Sequence, residues 1–206
     1  MSFYARWVVP QLVNCAMRNR RLSEYRNRVI PRAQGAVLEI GVGSGFNLPL
    51  YGADVDRIYG IDPSGELLAM AQKRRDAARV PVTLTRASAE AMPLDADSID
   101  TVVTTWTLCS IPDVGRALRE MRRILRPGGK LVFVEHGLSR DPQVRKWQNR
   151  LTPCWKKVGG GCHLNRNIDE LIRSAGFRID ALETGYMKGP RPMSFMYEGW
   201  ATPLAE

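Results

Sequence analysis

The chain has 206 residues, 44% of them hydrophobic and 25% charged, which suits one compact domain with a full core and excludes a disordered or fibrous chain. Its net charge of +9 (30 Lys and Arg against 21 Asp and Glu) favours acidic partners such as nucleic acid, anionic lipid or an anionic small molecule. The four cysteines form no C-x-x-C pair, so reduced thiols and a cytoplasmic location are expected, and Arg6 and Pro10 interrupt the apolar N-terminus, which fits neither a signal peptide nor a spanning helix.

The positive charge is clustered. Seven arginines between positions 1 and 35 face only Glu24, and seven basic residues between 140 and 166 face only Asp141. Residues 2–30 read as one or two amphipathic helices, because Phe3, Trp7, Val8, Leu12, Val13 and Ala16 recur at roughly helical spacing. This N-terminal segment, 1–34, is expected to pack on the domain with its arginines in water, to act as a lid, or to lie peripherally on an anionic membrane.

From residue 35 to 206 strands and helices alternate. Strands are expected at 36–40, 57–61, 82–85, 98–105 and 130–136, and two more at 177–184 and 193–200. Helices are expected near Leu48, over 64–78 behind a Ser64 cap, over 114–125 and over 168–175, the last closed by Gly176. Arg126-Pro127-Gly128-Gly129 stops the helix before the fifth strand. The alternation predicts an α/β doubly wound, seven-stranded, mostly parallel sheet. Ligands of such sheets bind beyond the carboxyl ends of the strands, where the glycine turn after the first strand, Asp62, Thr105 and His136 are expected.

Val37-Leu38-Glu39-Ile40 runs directly into Gly41-Val42-Gly43-Ser44-Gly45. Glycines at every second position let backbone N–H groups approach a polar ligand closely, because no Cβ intervenes. The run is not the dinucleotide pattern G-x-G-x-x-G, since Phe46 occupies the last glycine position. Asp62 follows the second strand, 21 residues beyond Gly41, where a carboxylate can accept both hydrogen bonds of a ribose diol.

E-x-G-x-G-x-G resembles motif I of the class I S-adenosyl-L-methionine (SAM) methyltransferases. Ala89-Glu90-Ala91-Met92-Pro93-Leu94 is similar to their A-E-x-L-P-F stretch, and Leu125-Arg126-Pro127-Gly128-Gly129-Lys130-Leu131 to their L-K-P-G-G-x-L turn. The resemblance covers about 36–136. It implies that Gly41, Gly43 and Gly45 approach the methionine part of SAM, that Asp62 binds ribose, and that Ala89 and Glu90 hold adenine. Asn47, Pro63 and Thr105 are expected in the same cofactor site, and Glu39 beside the cofactor amine.

Outside these motifs, Leu108-Cys109-Ser110-Ile111, Glu135-His136 and Gly161-Cys162-His163-Leu164-Asn165-Arg166 resemble the subgroup related to membrane-associated alkyl thiol methyltransferases, whose bacterial members are often labelled phospholipid or quinone methyltransferases. That resemblance implies a small, apolar acceptor, with a thiol favoured and a lipid-like acceptor as the alternative. His136 is the candidate base, weighed against a purely structural role. A non-catalytic SAM-binding protein is the alternative of another class. Cys109 and Cys162 read as small buried residues, and Cys154, Cys162 and His163 lack the usual zinc-ligand spacing, so no metal is expected. Thr105-Trp106-Thr107-Leu108 is not the N/D-P-P-Y of amino-methylating base enzymes, which argues against nucleic acid.

Overall fold

The computed structural model describes residues 3–204 and no side chain for Ala5. The chain opens with a helical arm. A π-helical turn, Tyr4–Val8, leads into α1, Val9–Met17, which carries Pro10 in its first turn, where the missing N–H has no intrahelical partner to lose. Asn19 breaks the line and caps α2, Arg20–Val29, its side chain accepting from Arg21 N at 3.0 Å. The amphipathic segment expected over 2–30 is therefore two helices, and only its residue 2 lies outside the described residues.

The sheet strands are β1 Gly35–Ile40, β2 Val55–Asp62, β3 Val82–Arg86, β4 Ile99–Thr105, β5 Leu125–His136, β6 Phe177–Tyr186 and β7 Phe195–Pro203. The remaining helices are α3 Gly65–Gln72, α4 Val114–Ile124, α5 Pro142–Val158 and α6 Ile168–Ser174. The strands are ordered β3-β2-β1-β4-β5-β7-β6. The first five pair in parallel, and β7 runs antiparallel between β5 and β6. This is the doubly wound, seven-stranded, mostly parallel sheet expected from the sequence. Its topological switch lies between β1 and β4.

Val37, Leu38 and Ile40 are all buried, as an interior parallel strand covered on both faces requires. One core joins Leu38 and Phe133 to Leu118 of α4 and Ile172 of α6. The other joins Val37 and Val134 to Val29 of α2 and Leu48. Each such fully buried side chain contributes about 1.5–3 kcal/mol.

Strand β2 begins two residues earlier than expected, at Val55, β6 runs on to Tyr186, and β7 spans Phe195–Pro203 rather than 193–200; three further differences are larger. The helix expected over 64–78 stops at Gln72 and ends in a 3-10 turn, Arg75–Ala77, because Arg74 Nη1 is drawn to Ser44 O of the glycine turn at 2.6 Å. Strand β5 begins at Leu125 and passes through Pro-Gly-Gly with Gly128 at φ +81° and a register shift against β4. The 17-residue helix α5, unforeseen in the basic segment, buries Val144, Gln148 and Thr152 at four-residue spacing.

Candidate active site

The carboxyl ends of β1, β2, β4 and β5 form one edge, and the expected site residues converge there. Glu39 is buried, and its carboxylate accepts from Asn47 Nδ2 at 2.8 Å and from Tyr51 OH at 2.9 Å. Burial pushes it up to about 7, against the two hydrogen bonds and Arg26. Asn47 Nδ2 also donates to Thr105 Oγ1 at 3.0 Å, which joins the β1 and β4 loops. Asn47 Oδ1 is buried and finds no partner among the described residues, an acceptor held ready at the head of the glycine turn.

The three glycines do different work. All have positive φ: +67° at Gly41, +55° at Gly43 and +82° at Gly45. A Cβ on Gly41 would lie 2.5 Å from the Thr107 side chain, and one on Gly45 would lie 3.1 Å from Ala71 Cα, so these two permit close packing of loop on loop and loop on helix. A Cβ on Gly43 would meet nothing nearer than Gly41 O at 3.8 Å. Of the three, Gly43 is the one that faces space the described residues leave open.

Asp62 is buried at the end of β2. Its carboxylate accepts from Gly43 N at 3.1 Å and from Ser64 N at 2.8 Å, so it shapes the turn while retaining lone pairs for a diol. Burial raises its pKa and the two N–H groups oppose that rise. Pro63 follows it and accepts from Arg86 Nε at 3.1 Å. Ala89 is buried in the loop after β3. The Glu90 side chain is turned elsewhere than expected, accepting from Asp113 N at 2.6 Å at the start of α4. The unpartnered Asn47 oxygen, the open Gly43 and the spare acceptor capacity of Asp62 fit an adenosyl ligand with an amino group and a ribose diol.

The arm covers this edge. Arg6 Nε donates to Glu66 Oε1 at 3.0 Å at the start of α3, and Tyr4 OH donates to Val158 O at 3.0 Å at the end of α5. Arg26 is buried rather than solvated. It donates to Met17 O at 3.1 Å and lies 5.0 Å from the Trp106 ring and 5.5 Å from that of Phe46. Burial pulls it down to about 10, with Glu39 opposing. A signal for it exists in the sequence, since Leu22, Arg26 and Val29 fall on one helical stripe. Trp106 has φ +51°, a left-handed backbone that a bulky residue adopts at a cost of about 1–3 kcal/mol. Trp106 N to Val134 O, 2.9 Å, and Thr107 N to Glu135 Oε1, 3.1 Å, hold it there.

Four residues beyond Thr105 the loop reaches Cys109. Its Sγ, Cys162 Sγ and a ring nitrogen of His136 all lie within 4.8 Å of one another. His136 Nε2 is 3.1 Å from Cys162 Sγ, and its Nδ1 is buried without a partner among the described residues. The expected base is thus half of an imidazole–thiol pair. The Cys109 hydrogen bond and His136 pull the Cys162 thiol well below the usual thiol range, and Cys109 is pushed up by its bond to Cys162 and by burial. Burial works against charge on His136, but the Cys162 contact outweighs it and the ring is raised. Arg166 donates to the Leu108 and Pro112 carbonyls, its field falling on both thiols. Cys154 is exposed, and His163 Nδ1 lies 3.0 Å from Cys109 O. The zinc trio weighed from the sequence is therefore not assembled, and Cys162 has other neighbours. The separation of Cys109, His136 and Cys162 along the chain hid their contact.

A family model described as a methyltransferase domain matches residues 38–133. Human thiol S-methyltransferase TMT1B is 31% identical over 198 residues, covering 88% of this chain and 77% of that protein. Human thiol S-methyltransferase TMT1A is 32% identical over 183 residues, 85% and 73% of the two chains. The chain belongs to the class I SAM-dependent methyltransferases, in the subgroup of these relatives. It spans 62% of the length of rat TMT1B, to which it is 35% identical over 154 residues, or 71% of this chain. A phosphatidylethanolamine N-methyltransferase of Cereibacter sphaeroides is 38% identical over 104 residues, 50% of this methyltransferase and 51% of that one. A solved SAM-dependent methyltransferase of Thermotoga maritima superposes with a TM-score of 0.69 at 24% identity, covering 96% of this chain and 99% of that one, a likeness of fold. The family match ends within β5, so the arm, α5 and the β6–β7 hairpin lie outside it.

Proposed function

We propose that this SAM-dependent methyltransferase acts on a small apolar thiol. The observation that carries the reading is the meeting of Cys109, His136, Cys162 and Arg166 beyond β4 and β5, four residues of chain, or at most about 14 Å, from Thr105. SAM supplies an electrophilic methyl group. Asp62 holds the ribose diol, the Gly41–Gly43 backbone and Asn47 Oδ1 receive the amino-acid part, and Pro63, Ala89 and the Glu90 backbone border the adenine. Glu39 acts through Asn47, accepting from its amide and so fixing the orientation of Oδ1. Trp106, held in its left-handed turn, packs its ring against Tyr25 and Arg26 of the arm.

An ordinary thiol with a pKa of about 8.5 is only slightly ionised at neutral pH, so the site must favour its anion. The positive group beside the cluster is the half-buried Arg166, whose field reaches both thiols and is only partly screened by solvent. The likeness to thiol S-methyltransferases over most of the chain supports the same acceptor class. The test is release of S-adenosylhomocysteine (SAH) with SAM and, in turn, an alkyl thiol, hydrogen sulfide, a phospholipid amine and a quinol. Turnover with the alkyl thiol is expected; turnover of another acceptor while the thiol stays inert overturns the reading.

A second reading, peripheral action at an anionic membrane on a lipid-like acceptor, is favoured by the outer face of α5. Trp147 is 57% exposed and Val158 53%, in line with exposed Leu151 and flanked by Lys146, Arg150 and Lys157; Phe3 and Trp7 of the arm are 76% and 50% exposed. No helix among the described residues is long and apolar enough to cross a membrane.

A further inference from the structure

The geometry points to a metal site: we infer that Cys109, His136 and Cys162 bind one zinc-like divalent cation, whose fourth position takes the acceptor's thiolate. The inference rests on the thiol reading above only for that fourth ligand. Three different segments supply the donors: the loop after β4, the last residue of β5 and the glycine-rich turn after α5. Two thiolates and an imidazole form a ligand set that zinc takes at sites where one position stays open. Three donor atoms already lie within 4.8 Å of one another. Around a tetrahedral zinc the S···S edges are about 3.8 Å and the S···N edges about 3.6 Å, from bond lengths of about 2.3 and 2.05 Å. The His136 Nε2 to Cys162 Sγ separation of 3.1 Å has to open by about half an ångström. The segment that must give is Gly159-Gly160-Gly161, where Gly160 and Gly161 have φ of +63° and +88°.

Charge supports the same arrangement. A divalent ion with two thiolates and a neutral imidazole has no net charge, so an incoming thiolate brings one negative charge. Arg166, whose guanidinium donates to the Leu108 carbonyl, supplies a positive charge against it, shared with the buried Glu135 carboxyl that faces the same cluster. The acceptor's S–H bond breaks as its sulfur binds the cation, and the proton leaves to solvent. His136 is then a ligand through Nε2 and not a base.

The test uses the full-length protein, purified without chelators and measured for metal content, with Co²⁺ replacing the native ion for spectroscopy. About one equivalent of zinc per chain is expected, and the Co²⁺ form should show a sulfur-to-metal charge-transfer band and tetrahedral visible bands. Cys162→Ser should lose at least tenfold in metal affinity while SAH binding, which uses other residues, is retained and reports the fold. Cys154→Ser should change neither. Adding an alkyl thiol to the Co²⁺ protein should shift its visible bands. Metal-free protein with no Co²⁺ thiolate band overturns the inference, and the thiol reading survives if such protein still methylates the thiol. Metal bound through Cys162 with no spectral response to thiols and no thiol turnover overturns the fourth-ligand claim and the thiol reading, and leaves the metal site.

Discussion

Gly43→Ala separates ligand approach from packing within one turn. The new methyl meets no protein atom closer than Gly41 O at 3.8 Å, so its cost to the fold is conformational. Holding alanine at φ +55° costs about 1–2 kcal/mol relative to glycine, which for a chain of this size lowers Tm by roughly 2–8 °C. Gly45→Ala incurs the same backbone cost and also drives a methyl to 3.1 Å from Ala71 Cα and 3.2 Å from its Cβ, overpacking worth a further 1–3 kcal/mol or so. Binding should rank the other way. The Gly43 methyl occupies space left for the ligand, so SAH affinity should fall at least tenfold, about 1.4 kcal/mol, in a protein that remains folded. Thermal unfolding of both variants, with and without SAH, and calorimetric titration of SAH give both numbers. Gly43→Ala binding SAH as tightly as the parent protein refutes the placement of the ligand against this turn.

Asp62→Asn removes a charged acceptor for the diol and should weaken SAH binding roughly ten- to a hundredfold, read by the same titration. Glu39 is raised in the folded state to about 7 from 4.5, so the folded protein holds more protons than the unfolded chain between those values and its stability falls as pH climbs through that window. Glu39→Gln should flatten that fall by as much as about 3 kcal/mol in urea unfolding followed from pH 5 to 8, since an amide can still accept from Asn47 while Tyr51 OH turns to accept from it. Burial raises Glu135 as well, to about 7, and this should leave a residual slope in that variant. Trp147→Glu should weaken sedimentation with anionic vesicles at low salt without altering SAH binding, and wild-type protein that ignores such vesicles removes the membrane reading.

The centre of the sheet was legible because β1 and β4 are buried on both faces and read as apolar runs bounded by turns, as 36–40 and 98–105 do. The edge that gathers Glu39, Gly41, Asp62 and Thr105 was legible because these residues lie at or next to strand ends in order. What escaped lies where tertiary contacts override local pattern. Helix α5 turns an apolar stripe outward and carries Pro153 and many charges, so no core-facing period stood out. The Glu90 carboxylate was assigned to a ligand edge, but the free N–H groups at the start of α4 draw it away. Arg26 was counted among solvated arginines, and two aromatic rings and a carbonyl hold it inside. Cys162 contacts His136, which lies 26 positions earlier in the chain, and no spacing rule joins them.

The antiparallel β7 has a consequence for folding. The β6 ladder is made with β7 alone, although β6 precedes it in the chain. Until β7 is in place, β6 has no partner and the flank of β5 stays bare, so a partly folded chain presents two unpaired strands at once. Insertion of β7 joins both in a single step and leaves only the outer side of β6 as an edge.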